Sequence, residues 1–261
     1  MAEVPGIRRV EMIMGMPIVV DVRDDGAGDE LLDRVFDWFR EVDAVFSTYK
    51  DDSEISRLNR DELALRECRA DVRWVIARCR ELAEETDGYF DAEAVVPGQI
   101  DPSGLVKGWS VDRAALLLEE AGARNYAVNA GGDIRLRGGA TPEPRWRVGI
   151  QHPQIRDKVA AVVEGDDLAV ATSGEYVRGR HIVDPHTGGP PDGLLSVTIT
   201  GADLATADAY ATAAFAMGAA GPEWTRRLQP YEAMSITADG RVLSTPGFPR
   251  ARDGAASPGV A

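Results

Sequence analysis

Apolar positions recur along this chain in two rhythms. Leu31, Leu32, Val35, Phe36, Phe39, Val42 and Phe46 return at helical spacing and predict one apolar face against a core, in a helix that stops before Ser47-Thr48-Tyr49. Ser53 to Leu58 reads as a short helical turn. Val72, Val75, Ile76, Cys79 and Leu82 predict a helix over 71–85, with Asp71 as its N-cap and Asp87-Gly88 as its stop. Ala114, Leu117 and Leu118 predict another from Val111 to Glu120. Leu204 to Gly218 reads as a helix made mainly of Ala, and Glu223 to Arg227 begins one more.

The second rhythm is that of strands. Val10 to Val22 is apolar but broken by Met14-Gly15-Met16-Pro17, which predicts a tight bend or bulge. Tyr126 to Asn129 and Ile134 to Arg137 flank Ala130-Gly131-Gly132-Asp133, where paired glycines let backbone approach a neighbour closely. Trp146 to Gln151 alternates and reads as the hairpin partner of the strand before it. Lys158 to Val163, Leu168 to Ala171 and Leu194 to Thr200 add strands, with Thr172 to Tyr176 a polar turn. Glu232 to Thr237 and Arg241 to Leu243 form a last hairpin around Asp239-Gly240. Hairpin strands mixed with helices predict an α+β fold with a largely antiparallel sheet and packed helices. One domain is expected over residues 1–246, and the Gly-, Ala- and Pro-rich residues 247–261 read as a frayed tail.

Composition narrows the function. With 261 residues and 44% hydrophobic content the chain is long and apolar enough for a globular core. Its formal net charge of −14 argues against a nucleic-acid surface, which needs clustered Lys and Arg. No stretch approaches a membrane span, and Met1 to Gly6 shows no basic, apolar or lipoprotein signal pattern, so the expectation is a cytoplasmic protein, with a trimmed secretion signal as the alternative. Cys68 and Cys79 read as two buried free thiols, and with three scattered His residues they make no zinc site. Neither a dinucleotide-binding Gly pattern, a Walker A loop nor a Gly-x-Ser-x-Gly elbow is present.

Four places carry candidate chemistry. Ile100 to Asp112 opens on Asp101, Pro102 and Gly104, offers Lys107 between apolar neighbours and runs into a helix. It is either a loop for a phosphorylated or metal-bound ligand or a loop-to-helix joint with solvated charges. Asp208 and Thr212 stand at i and i+4 on the Ala-rich helix, a pair of hard oxygen ligands suited to Mg²⁺ or simply a solvated pair. His181, between an apolar strand and the Asp184-Pro185 turn, is a base, a ligand or a satisfied core group. Tyr49 is a core cap or a platform for a planar ring.

The order of these segments is itself a pattern. Met14 to Pro17, Phe46 to Tyr49 with Asp52 to Asn59, Gly88 to Asp91, Asp101 to Asp112, Asn129 to Asp133, Ala171 to Gly174, His181 to Gly188 and Ala207 to Thr212 together resemble the FAD:protein FMN transferase (ApbE) family over about residues 10 to 245. That resemblance implies an ApbE-like (T-fold-like) architecture. It implies FAD as substrate, Mg²⁺ as cofactor, and transfer of the FMN half of FAD to a Thr or Ser hydroxyl in the flavinylation motif of an acceptor protein, with AMP released. By the same resemblance FAD contacts fall on Met14, Tyr49, Tyr89, Phe90, Asp91, Asp101, Lys107, His181 and Ile182, and metal ligands on the Gly104 carbonyl, Asp208 and Thr212. His181, Asp208 and Lys107 become the catalytic set, with His181 helping to activate the acceptor hydroxyl. An FAD carrier without chemistry, and an FAD pyrophosphatase giving AMP and FMN, are the competing readings. Two departures stand out: Asp101-Pro102-Ser103-Gly104 where the family has Asp-Leu-Gly-Gly, and Met16 where it has Thr.

Overall fold

The first apolar run folds back on itself. β1 (Ile7–Ile13) and β2 (Met16–Val22) pair antiparallel from Ile7↔Val22 to Ile13↔Met16, so the predicted break is a two-residue hairpin turn. Met14 and Gly15 both take positive φ there, 54° and 69°, which is what the tight primed turns require. This is the start of a computed structural model that describes residues 5–94, 96, 98–140, 143–155, 157–174 and 182–251.

The remaining strands are β3 (Tyr126–Ala130), β4 (Asp133–Arg137), β5 (Trp146–Gln151), β6 (Val159–Gly165), β7 (Asp167–Gly174), β8 (Leu194–Gly201), β9 (Glu232–Thr237) and β10 (Val242–Ser244). Among the described residues eight of the ten strands form one sheet in the order β1-β2-β3-β4-β7-β8-β9-β10, antiparallel at each pairing. The fold is thus α+β on an antiparallel sheet, as the alternation of strands and helices predicts. One partner differs. β5 does not pair with β4; it pairs with β6, while β4 pairs with β7. Alternation marks a strand but not its neighbour. Trp146, Val148 and Ile150 turn their apolar side onto Ile134, Leu136, Val170 and Met234, so β5 and β6 cover the sheet instead of extending it.

The other face carries the helices: α1 (Asp29–Phe46), α2 (Glu54–Asn59), α3 (Ala70–Glu85), α4 (Ser103–Glu120), α5 (Leu204–Ala216) and α6 (Gly221–Thr225). Leu32, Phe36 and Phe39 of α1, Val111 and Leu118 of α4 and Phe215 of α5 pack on Ile18, Val20, Val128 and Ile199 of the sheet. Beyond them α3 packs Val72, Val75, Ile76 and Leu82 against Phe46, Leu105 and Trp109. The composition of α5 follows from its position. Ala207, Ala211 and Ala214 face the sheet while Ala205, Ala209 and Ala213 face α3 and α4, so only small side chains fit on both flanks.

Two helix starts correct the sequence reading. Asp71 lies inside the first turn of α3, and Arg69 is the capping position. α4 begins at Ser103, eight residues before Val111, so Gly104 and Lys107 lie on a helix and not in a loop. Gly104 and Gly108 read as loop glycines, but Gly108 serves helix contact: a Cβ there would come within 2.4 Å of the Leu204 carbonyl oxygen. Pro102 does not disturb this start. Its carbonyl accepts from the Leu105 and Val106 amides at 2.9 Å, and Asp101 Oδ1 accepts from the Ser103 amide at 3.0 Å.

Thr172, Ser173 and Gly174 are the end of strand β7 and not a turn; Glu175 and Tyr176 lie outside the described residues. The start of the expected tail is docked. The Glu164 amide donates to the Pro249 carbonyl, the Ala251 amide donates to Val162, and Phe248 packs on the core beneath β5 and β6. Residues 252–261 lie outside the described residues. Cys68 and Cys79 are buried free thiols, and burial pushes the Cys79 thiol up to about 12. No described helix is long and apolar enough to cross a membrane.

Candidate functional site

Six segments meet at one pocket: the first two turns of α4, the middle of α5, the end of β7, the Gly131 turn between β3 and β4, and the two stretches 89–94 and 182–185. Regular elements supply the floor and irregular backbone supplies the walls.

The floor is a buried charge cluster. Lys107 Nζ lies 2.5 Å from Asp133 Oδ2 and 3.3 Å from Asp208 Oδ1. Both acids are 2% exposed. Asp133 Oδ1 accepts from the Thr172 amide at 2.9 Å, and Asp208 Oδ2 accepts from the Gly108 amide at 3.2 Å. In a regular helix that amide serves the carbonyl four residues earlier, here Gly104. Burial raises the Asp208 carboxyl to about 7; the Lys107 ammonium pulls it down and the Asp133 carboxylate pushes it up. With both acids ionised, two carboxylates face one ammonium, so the floor carries a surplus negative charge away from water. A buried surplus of this kind is costly until a proton on Asp208 or a bound cation offsets it.

Oxygen donors stand beside that cluster. Thr212 Oγ1 is 3.4 Å from Ser173 Oγ. The bare Cα of Gly104 faces them: a Cβ added there would lie 4.0 Å from Thr212 Oγ1 and 3.1 Å from the Phe90 ring. Asp208, Thr212 and Gly104 thus line the same pocket. No cluster of three His, Cys, Asp or Glu suited to a metal occurs among the described residues. A metal here would rely on one carboxylate, hydroxyls and carbonyls, and that hard-oxygen donor set fits Mg²⁺, which also draws on water and substrate phosphates.

Tyr89, Asp91, Asp101 and Ile182 line the walls, with Phe90 buried beneath them. Tyr89 is set by its surroundings. Asp87 and Gly88 turn the chain with φ of 52° and 79°. The His186 ring lies 4.4 Å from the Tyr89 ring, and its Nε2 is 2.9 Å from the Asp87 carbonyl oxygen. Two predicted contacts lie elsewhere: Met14, at the β1–β2 turn, packs between the two helix-side cores, and Tyr49 is 97% exposed. Neither lines the pocket. His181 lies outside the described residues.

Asp133, Thr172 and Ser173 lie in two segments that carry the resemblance, Asn129 to Asp133 and Ala171 to Gly174, but the sequence assigns them no site role. The available signal for Asp133 is its place after Gly131-Gly132, where close backbone approach and an acid aimed at a site look alike. Met16, the other departure, is buried with its sulfur against Gly131, so it gives bulk under the pocket rim where the family pattern has a hydroxyl.

Comparison with known proteins places the chain in a family. The ApbE family model matches residues 14–96 and 94–235. The FAD:protein FMN transferase of Vibrio cholerae is 40% identical over 129 residues, 46% of this chain and 39% of that protein. The FAD:protein FMN transferase of Haemophilus influenzae is 26% identical over 272 residues, 78% of this chain and 79% of that protein. The chain therefore spans well under half of the first relative's length and about four fifths of the second's. Among solved structures, Flavin Transferase ApbE from Vibrio cholerae superposes with a TM-score of 0.81 at 26% identity, covering 93% of this chain and 97% of that one.

Proposed function

The chain belongs to the ApbE family, and from that premise we propose that it transfers the FMN half of FAD to a Thr or Ser hydroxyl of an acceptor protein, with Mg²⁺, releasing AMP. The observation that carries this reading is the buried Lys107–Asp133–Asp208 cluster beside Thr212, at the floor of a pocket walled by Tyr89, Asp91 and Ile182. Such a floor suits an anionic, metal-bound pyrophosphate, and such walls suit a planar ring.

In the reaction the acceptor oxygen bonds to the FMN phosphorus, the bond from that phosphorus to the oxygen of the AMP phosphate breaks, and the hydroxyl proton leaves to a base. Mg²⁺, held by Asp208, Thr212 and the Gly104 carbonyl, would supply Lewis-acid charge to the phosphates. Lys107 faces the same place and offsets negative charge building on the departing phosphate. Asp133 and Asp208 hold the Lys107 ammonium in that position. His181 takes the role of base, and Met14 and Tyr49 the role of flavin contacts, from the family pattern alone.

The test is direct. Purified protein is incubated with FAD, MgCl₂ and an acceptor domain carrying Asp-Gly/Ala-x-Ser/Thr-Gly-Ala-Ser/Thr. The expected result is an acceptor heavier by one FMN and an equal amount of AMP. AMP with free FMN and no acceptor present would make the protein a pyrophosphatase, and tight FAD binding with no AMP would make it a carrier.

A further inference from the structure

Asp112 lies on α4, one turn beyond Gly108, and does not line the pocket. Its carboxylate crosses to the next helix. Oδ1 accepts from the Leu204 amide at 3.0 Å, Oδ2 from the same amide at 2.9 Å, and Oδ2 from the Ala205 amide at 2.8 Å. These are the first two residues of α5, whose opening amides have no partner within the helix. The helix has its own cap as well, Asp203, which accepts from the Thr206 amide at 2.8 Å. Asp112 therefore does something a local cap does not: it fastens the start of α5 to a different helix.

A second link runs the other way. Asp208, one turn into α5, accepts from the Gly108 amide of α4 at 3.2 Å. Between the two links the helices touch backbone to backbone, with the Leu204 carbonyl oxygen 2.4 Å from where a Gly108 Cβ would stand. Leu204 is thus held through its amide by Asp112 and crowded at its carbonyl by Gly108. In a helix that carbonyl is the acceptor for the amide of Asp208 itself. The register of the turn that carries Asp208, and of Thr212 a turn later, is set at this crossing.

We propose that Asp112 is a positioning residue for the pocket floor: by pinning the first turn of α5 to α4 it fixes Asp208 and Thr212 relative to Gly104 and Lys107. This rests on the reading of that floor as a metal and pyrophosphate site. Leu204 and Ala205 are buried, so removal of the carboxylate takes from both amides the partner that ties them to α4. The first turn relieves that loss by shifting, and the shift is felt at Asp208.

Mn²⁺ serves as the probe, titrated into the protein–FAD complex and followed by the EPR signal of the free ion, with FAD affinity measured separately by flavin fluorescence. Asp112→Ala should weaken Mn²⁺ binding about tenfold while FAD affinity without metal stays within about twofold. Asp112→Asn keeps one acceptor oxygen and should weaken Mn²⁺ only roughly threefold. A general loss of structure would lower both affinities together, and that result overturns the proposal, as does an unchanged Mn²⁺ affinity in Asp112→Ala. Should Asp112→Ala not fold, the Asn variant decides alone by the same split. Asp208→Ala separates the two layers. If it binds Mn²⁺ like the wild type, the floor is no metal site and the proposed function loses its footing. If it abolishes binding while Asp112→Ala does not move it, only the positioning role fails.

Discussion

The floor and the walls of this pocket are built on opposite principles. The floor stands on two helices and two strands, with buried charges that are each tied to a backbone amide and to one ammonium: Asp208 to Gly108 and Lys107, Asp133 to Thr172 and Lys107. The walls stand on turns. Tyr89 follows two left-handed residues and leans on His186, which is exposed and belongs to a loop folded around Asp184. Groups that handle charge in a transition state must keep their geometry when water is absent, and regular elements hold it best. Groups that recognise a ring need fit more than rigidity, and loops allow it to vary. Damage to the floor should therefore abolish chemistry, and damage to the walls should weaken binding.

The largest effect is expected from Asp208→Ala. It removes a proposed metal ligand and one of the two carboxylates facing Lys107. AMP release, followed by chromatography, should fall by about a hundredfold or more. Transfer at the wild-type rate would take the floor out of the chemistry.

Gly108→Ala comes next and tests the floor through packing alone. The added methyl meets the Leu204 carbonyl oxygen at 2.4 Å, and backbone cannot swing aside as a side chain does. Overpacking of this kind costs about 1–3 kcal/mol. Thermal melts should show the loss, and it should be accompanied by reduced activity because Asp208 moves with α5. The contrasting position is Gly188 in the wall loop, where nothing lies within 4 Å of an added Cβ and only its φ of 69° opposes the change.

What the sequence revealed follows the same division. Apolar periodicity located α1 and α3 because one face of each is buried. The i, i+4 spacing placed Asp208 and Thr212 on one face before any fold was known. The start of α4 was hidden because Gly104 and Gly108 look like loop residues until a second helix is packed against them. Asp133 was hidden for a similar reason: its partners, Lys107 and Thr172, are 26 and 39 positions away, and only the β3–β4 turn and the end of β7 bring them together. The partner of β5 was open because a strand's own alternation does not say whether it joins a sheet or covers one. Local pattern shows elements; it does not show contacts made across the chain.

A pH experiment probes the floor from beneath. Burial holds the Asp112 carboxyl up to about 6, above the ordinary 3.8; amide bonds from Ala205 and Leu204 pull it down, Asp203 pushes it up and Arg135, at 3.9 Å, pulls it down. The folded chain then binds this proton more tightly than the unfolded chain. The associated stability is fully present below about pH 4 and is lost as pH rises through about 6. Asp112→Asn has no such proton. The wild type should lose stability relative to that variant between pH 4 and 7, on the order of 2 kcal/mol, in paired melts. A difference that stays flat with pH would mean that the carboxyl is not held up by burial.

His186→Ala should produce the smallest effect, and it is the one that sharpens the contrast most. The ring contributes one contact to Tyr89 and one hydrogen bond: Nε2 donates to the Asp87 carbonyl, since a carbonyl can only accept. That bond ties the loop bearing Val183 and Pro185 to the turn bearing Tyr89, so it joins two walls of the pocket. An exposed hydrogen bond and a ring contact are together worth about 1 kcal/mol, which corresponds to about a fivefold rise in KM for FAD. Because His186 touches nothing on the floor, kcat should stay within about twofold. His186→Gln, which keeps an N–H donor but no ring, should recover part of the affinity and divide the bond from the ring contact. A fall in kcat with unchanged KM would show that the walls share the catalytic geometry, and the separation of floor from wall would then be wrong.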